Sequence, residues 1–96
     1  MERISDQIKK RIEAAGKRHY ANSNISEFIQ PGELEKLEAE LTESFSSVLN
    51  SLIIDQNNDP NSAGTAHRLA KMYLHETMRG RYYPDPKATS FPNDKE

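Results

Sequence analysis

Apolar residues recur along this chain at spacings of three and four, the period of helices with one buried face. Ile4, Ile8, Ile12 and Ala15 form a thin stripe that predicts a first helix over 5–19. Ser5 is placed to cap it, and Asp6 suits its positive end. Gly16 weakens its far end. So narrow a stripe needs a surface to lie on. Residues 20–30 change character. Asn22, Ser23 and Asn24 carry side chains that compete for backbone hydrogen bonds and favour turns. Ile25, Phe28 and Ile29 can anchor a short helical turn starting near Ser26. This segment is the expected hinge.

The second helix is the clearest element. Pro31 suits a first helical position, where its missing N–H costs nothing. With Gln30 as cap, Glu33 falls three residues on, and Ile29 and Leu34 can close over the helix start. Leu34, Leu37, Leu41, Phe45, Val48 and Leu52 then form one apolar stripe. Residues 55–62 are rich in turn formers, and Pro60 disfavours helix at Asp59. Asn61 or Ser62 can cap a third helix running through Arg79, with Gly80 just past its end. Ala66, Leu69, Ala70, Met72, Tyr73 and Met78 supply its apolar side. Beyond Gly80 the chain reads as extended, because Pro84, Pro86 and Pro92 remove donors and break helix. The pattern predicts an all-α fold: a helical hairpin or small three-helix bundle with an extended Pro-rich C-terminal tail.

Length and composition narrow this further. The 96 residues suffice for one small unit, and 34% hydrophobic against 29% charged is lean for a core. Marginal stability, or stability borrowed from a partner, is expected. No cysteine is present, so disulfides, thiolate metal ligands and cysteine nucleophiles are excluded from this sequence. No stretch is apolar enough to span a membrane and no secretory leader precedes the first helix, so a cytoplasmic protein is expected. Charge is unevenly spread. Residues 1–20 hold six Lys/Arg and three Asp/Glu, whereas residues 26–43 hold one Lys and six Glu. Two solvated helix faces explain this, and so do segments laid against each other or against charged partners.

Candidate chemistry is sparse. His67 and His75 are eight residues apart, about 80° around a regular helix, and His19 lies in another segment. They do not form a metal set without further ligands. No phosphate-binding Gly-rich loop or nucleophile motif occurs. Lys9, Lys10, Arg11, Lys17 and Arg18 form a basic strip, but no interleaved aromatics stack bases, so a nucleic-acid partner is disfavoured. Arg68 and Lys71 lie near the start of the third helix, where a guanidinium and free backbone N–H groups make a chemically sensible anion site. Their spacing is equally that of surface residues.

The strongest signal is a resemblance. The stretch Val48 to Asn93, VLNSLIIDQNNDPNSAGTAHRLAKMYLHETMRGRYYPDPKATSFPN, resembles the N-terminal region of GTP cyclohydrolase I. The specific pieces are SLIID, the DPN loop, T-x-H-R-x-A-K-M-Y from Thr65 to Tyr73, and G-R-Y with the P-x-P-K and F-P-N that follow. Their order and spacing agree as well as their identity. The preceding ISEFIQPGELEKLEAEL is similar to the lead-in helix of bacterial and phage-type members. The resemblance covers the last two thirds of the chain. It divides the sequence into a basic N-terminal helix and hinge over 1–24 and a cyclohydrolase-like helical region over 25–96. Ala66 departs from the proline many members carry there.

That family opens the imidazole ring of GTP to give 7,8-dihydroneopterin triphosphate and formate, at the start of tetrahydrofolate and 7-deazaguanine synthesis. Its zinc, held by two cysteines and a histidine, makes a hydroxide-like water, and histidines move protons. The resemblance implies that these groups belong to a β-rich catalytic half following the matched region. None of the three histidines here matches those motifs, so no catalytic residue, metal ligand or cofactor is assigned to this chain. Arg68 is the one carry-over: its counterpart lies near the substrate triphosphate, which implies GTP contact only in an assembled enzyme. The remaining expectation is packing. Leu34, Leu37, Leu41, Phe45, Val48, Leu52, Leu69 and Tyr73 are the expected interface residues, through self-association or against the catalytic half. The alternative is a stand-alone truncated module that binds and regulates a full-length cyclohydrolase.

Overall fold

The computed structural model describes residues 2–84, and all regular elements among them are helical. They are α1 (Ile4–Ala14), a 3-10 turn (Ser26–Phe28), α2 (Glu33–Ser51), α3 (Thr65–Met72), a π turn (Tyr73–Thr77) and α4 (Arg79–Tyr82). The predicted all-α bundle is therefore the observed fold. The Pro-rich tail falls on residues 85–96, outside the described residues. No helix among those described is long and apolar enough to cross a membrane.

α1 presents Ile4, Ile8 and Ile12 to the core, as the stripe requires. It is shorter than predicted, for a reason written at Gly16. That residue takes φ +68, its N–H bonds Glu13 O, and the Lys17 N–H returns to Ile12 O. This left-handed closure ends a helix, and glycine enters it without steric cost. Ser5 does not cap. Arg3 precedes the helix, and Ser5 sits inside the first turn, where its N–H and hydroxyl both reach Glu40 on α2. A carboxylate from a neighbouring helix thus satisfies the free donors at the positive end of α1.

Gln30–Glu33 forms a tight turn, with Pro31 second, Gly32 third at φ +84, and the Glu33 N–H on Gln30 O at 3.0 Å. α2 therefore begins two residues later than the Pro31 reading. The expected reach-back survives, since the Glu33 carboxylate accepts the Gln30 N–H at 2.8 Å.

Opposite charges bring α1 and α2 together in antiparallel order. Arg3 meets Glu40 at 2.9 Å, and Arg11 meets Glu33 through both guanidinium nitrogens, at 2.5 and 2.6 Å. Of the two readings of the charge asymmetry, the segments laid against each other is the one observed at these pairs.

Ile4, Ile8, Ile12, Ile25, Leu37 and Leu74 make the core, flanked by Phe28, Ile29, Leu34, Leu41 and Tyr82. Within the expected 20–30 hinge, the first residues are hydrogen-bonded to the last helical turn. Asn24 Nδ2 donates to Gly80 O and Tyr83 O, the Ile25 N–H to Arg81 O, and the Arg81 guanidinium to the carbonyls of His19, Tyr20 and Ser23.

The third helix departs most from expectation. Instead of running regularly to Arg79, it widens at Tyr73–Thr77, where the Met78 N–H bonds Tyr73 O five residues back. Met78 breaks the helix at φ −115, and α4 restarts it. Gly80 lies inside α4 rather than past a helix end, and the chain becomes extended only at Tyr83.

Candidate functional site: a carboxylate bridging two histidines

The densest cluster of chemistry-bearing side chains lies where α2 meets α3 and the π turn. Glu38, on α2, faces across the interface. Its Oε2 is 2.9 Å from His67 Nε2 on α3, and its Oε1 is 2.9 Å from His75 Nε2 in the π turn. The second nitrogen of His75 meets the Tyr83 hydroxyl. The Arg79 guanidinium lies over the Tyr83 ring, 4.1 Å from its centre. Hydrogen bonds from His75 first, then His67, hold the Glu38 carboxyl below its ordinary range, against the opposing effect of burial.

The 80° offset between the histidines assumes a uniform helix. The π turn breaks that uniformity and turns His75 toward the carboxylate His67 already holds. Each imidazole takes a different oxygen, so the carboxylate bridges the pair. Among the described residues no three His, Cys, Asp or Glu side chains are arranged to hold a metal ion. This cluster therefore does not fit the zinc centre the resemblance implies for the parent family. It is a polar tie between two helices.

That tie makes a prediction. Because the Glu38 pKa is depressed, its contribution is complete above the ordinary carboxylate range and fades as pH falls through the depressed value. Glu38→Gln is expected to cost about 1 kcal/mol near neutral pH and to flatten the dependence of stability on pH below the ordinary carboxylate range. Unfolding midpoints by circular dichroism check this; identical profiles for both proteins count against it.

The residues predicted from sequence divide sharply. Leu37 is buried, and Leu34, Leu41, Phe45 and Leu69 are half-buried. Tyr73 is partly exposed and stacks on Phe45 with ring centres 5.4 Å apart. Val48 and Leu52 stay exposed, while Leu49, outside the predicted stripe, is buried in their place. Arg68 is exposed at the start of α3, its guanidinium 3.2 Å from Thr65 Oγ1. Lys71 is exposed as well. The basic strip is partly consumed: Arg11 pairs with Glu33, Lys10 with Glu2, and Arg18 lies over Tyr20. Sequence reasoning missed Glu38 and Tyr83 as partners of the histidines. Glu38 is 37 positions from His75, so nothing local marks it, whereas Tyr83 follows His75 by eight positions and lies past the predicted helix end.

No family model, curated protein or solved structure matches the chain.

Proposed function

We propose that this chain is the N-terminal helical portion of a GTP cyclohydrolase I-type protein, acting in packing and assembly rather than in catalysis by itself. The observation that carries this reading is the ordered run of motifs from SLIID through T-x-H-R-x-A-K-M-Y to G-R-Y and F-P-N. Two structural features are compatible with it. Arg68 projects from the start of α3, free of any carboxylate partner among the described residues. The apolar stripe of α2 is covered along its first half and open at its end. In this reading zinc and the proton-transfer groups come from a catalytic half, and Arg68 contributes to triphosphate binding once the two are assembled.

The deciding experiment follows the coding frame beyond Glu96 and expresses whatever it encodes. A continuation carrying a Cys/His zinc motif and GTP-dependent formate release supports the reading. In that protein Arg68→Ala is expected to raise KM for GTP by roughly tenfold, the loss of one charge-assisted contact, with kcat nearly unchanged. The alternative is a stand-alone module that binds a full-length cyclohydrolase, favoured by the open end of α2. A stop codon after Glu96 together with tight binding to a purified catalytic half would select it. A stop codon with no such binding would end both readings.

A further inference from the structure

The tie between α2 and the π turn contains a directed chain of proton donors and acceptors. The depressed carboxyl pKa keeps Glu38 ionised, and an ionised carboxylate only accepts hydrogen bonds. It therefore takes an N–H from Nε2 of His67 and another from Nε2 of His75, each at 2.9 Å. With its proton on Nε2, a neutral His75 keeps a lone pair on Nδ1. The group that meets Nδ1 is the Tyr83 hydroxyl, so the hydroxyl donates. The order is fixed from end to end: phenol to imidazole, imidazole to carboxylate.

An oxygen nucleophile, a base within its reach and a third group that orients the base are the parts of an activated nucleophile. Three features go beyond what joining two helices needs. Glu38 is held at both oxygens, because His67 takes the one that His75 leaves, so the carboxylate is fixed beneath the imidazole it orients. His75 stands in the π turn, an irregularity concentrated at functional sites. His67 already reaches the same carboxylate from a regular turn of α3. Arg79, paired with no carboxylate among the described residues, lies over the Tyr83 ring, 4.1 Å from its centre. There its charge offsets the negative charge that develops as the phenol gives up its proton.

We infer that Tyr83 is an activated nucleophile that takes an acyl group from an activated ester, with His75 as its base and Glu38 as the positioning residue. Tyr83 Oη attacks the ester carbonyl carbon while His75 Nδ1 accepts the phenol proton. The Oη–C bond forms, the bond from that carbon to the leaving oxygen breaks, and His75 returns the proton to the leaving group. The products are an ester on Tyr83 and the free alcohol or phenol of the donor. Tyr83 and His75 keep part of their surface open to solvent, and Arg79 is exposed beside them.

The probe is p-nitrophenyl acetate, applied to the whole 96-residue chain near neutral pH, with acetyl uptake at each tyrosine followed by peptide mass mapping. Tyr20 is the internal control. It is 66% exposed and has the Arg18 guanidinium over its ring, so exposure alone ranks it ahead of half-buried Tyr83. The inference reverses that order: Tyr83 is expected to react about a hundredfold faster than Tyr20, at the lower end of what a positioned base contributes. His75→Gln is expected to remove this advantage and Glu38→Gln most of it, while Tyr20 in the same molecules keeps its rate. Unfolding would expose both tyrosines alike, so the ratio of the two rates reads the base rather than the fold. A wild-type chain in which Tyr20 reacts first overturns the proposal, and so does a Tyr83 that reacts as fast without His75 as with it. The inference does not rest on the packing role: a chain that continues into a catalytic half still carries this cluster, and failure of the acetylation test leaves that role standing.

Discussion

Leu74→Ala is expected to remove most of the chain's stability, on the cavity cost of a fully buried leucine. Leu74 has no exposed surface and is one of the two largest fully buried side chains. It belongs to the core built by Ile4, Ile8, Ile12, Ile25 and Leu37, so it is the residue through which the π turn enters the apolar core. Truncating a buried leucine removes its transfer free energy and leaves a cavity, together about 2–5 kcal/mol. A chain of 96 residues with so lean a core sits at the low end of domain stabilities, about 5 kcal/mol. One substitution then consumes most of the margin. Thermal unfolding followed by far-ultraviolet circular dichroism reads the effect directly. Leu69→Ala, at a half-buried position on the preceding turn, is expected to cost clearly less. Equal losses at the two positions would mean that Leu74 is not the keystone of the core.

The second large effect is expected at Glu33. Its carboxylate takes both terminal nitrogens of Arg11 and the Gln30 N–H, and Arg11 in turn donates to Phe28 O. One carboxylate thus fixes α1, the turn before α2 and the start of α2 itself. The Arg11 hydrogen bonds come first, and with the Gln30 N–H they lower its pKa from 4.5 to about 2 against the penalty of burial. The group is depressed, so its stabilisation is complete above pH 4.5 and is lost as pH falls toward about 2. Glu33→Gln keeps the shape and removes the charge, leaving a half-buried guanidinium unpaired. Near neutral pH it is expected to lower the unfolding midpoint by roughly 10 °C. Below pH 4.5 the wild type should lose stability more steeply than the variant, until the two converge. A constant gap between the two curves at all pH values would show that the charge is not what matters.

These two positions lie where the sequence is least and most informative, respectively. The basic first segment and acidic second segment can be counted along the chain, and Arg11–Glu33 and Arg3–Glu40 are where that asymmetry closes. Leu74 carries no such mark. It stands outside the predicted apolar face of the third helix, although it follows Ala66 and Ala70 at steps of four, and the helix widens around it at Tyr73–Thr77. The same widening moves Gly80 from a helix end to a helix interior and gives His75 its place beside Glu38. Gly16 misleads for a different reason. Propensity counts its cost inside a helix but not its fitness to end one, so the predicted first helix runs past the observed end at Ala14.

By itself, the sequence determined the helical class, the identity of three main helices and most of the α1 and α2 faces, because these depend on periodicity within a few residues. It also carries the motif run behind the proposed cyclohydrolase kinship. The tertiary structure alone decided which ends of those faces are covered. Leu49 went in and Val48, Leu52 and Ile53 stayed out. It alone decided that Glu38 would bridge two histidines and that Asn24 and Arg81 would tie the segment after α1 to the last helical turn. Those contacts join residues dozens of positions apart, and no local spacing encodes which distant partner a side chain will meet.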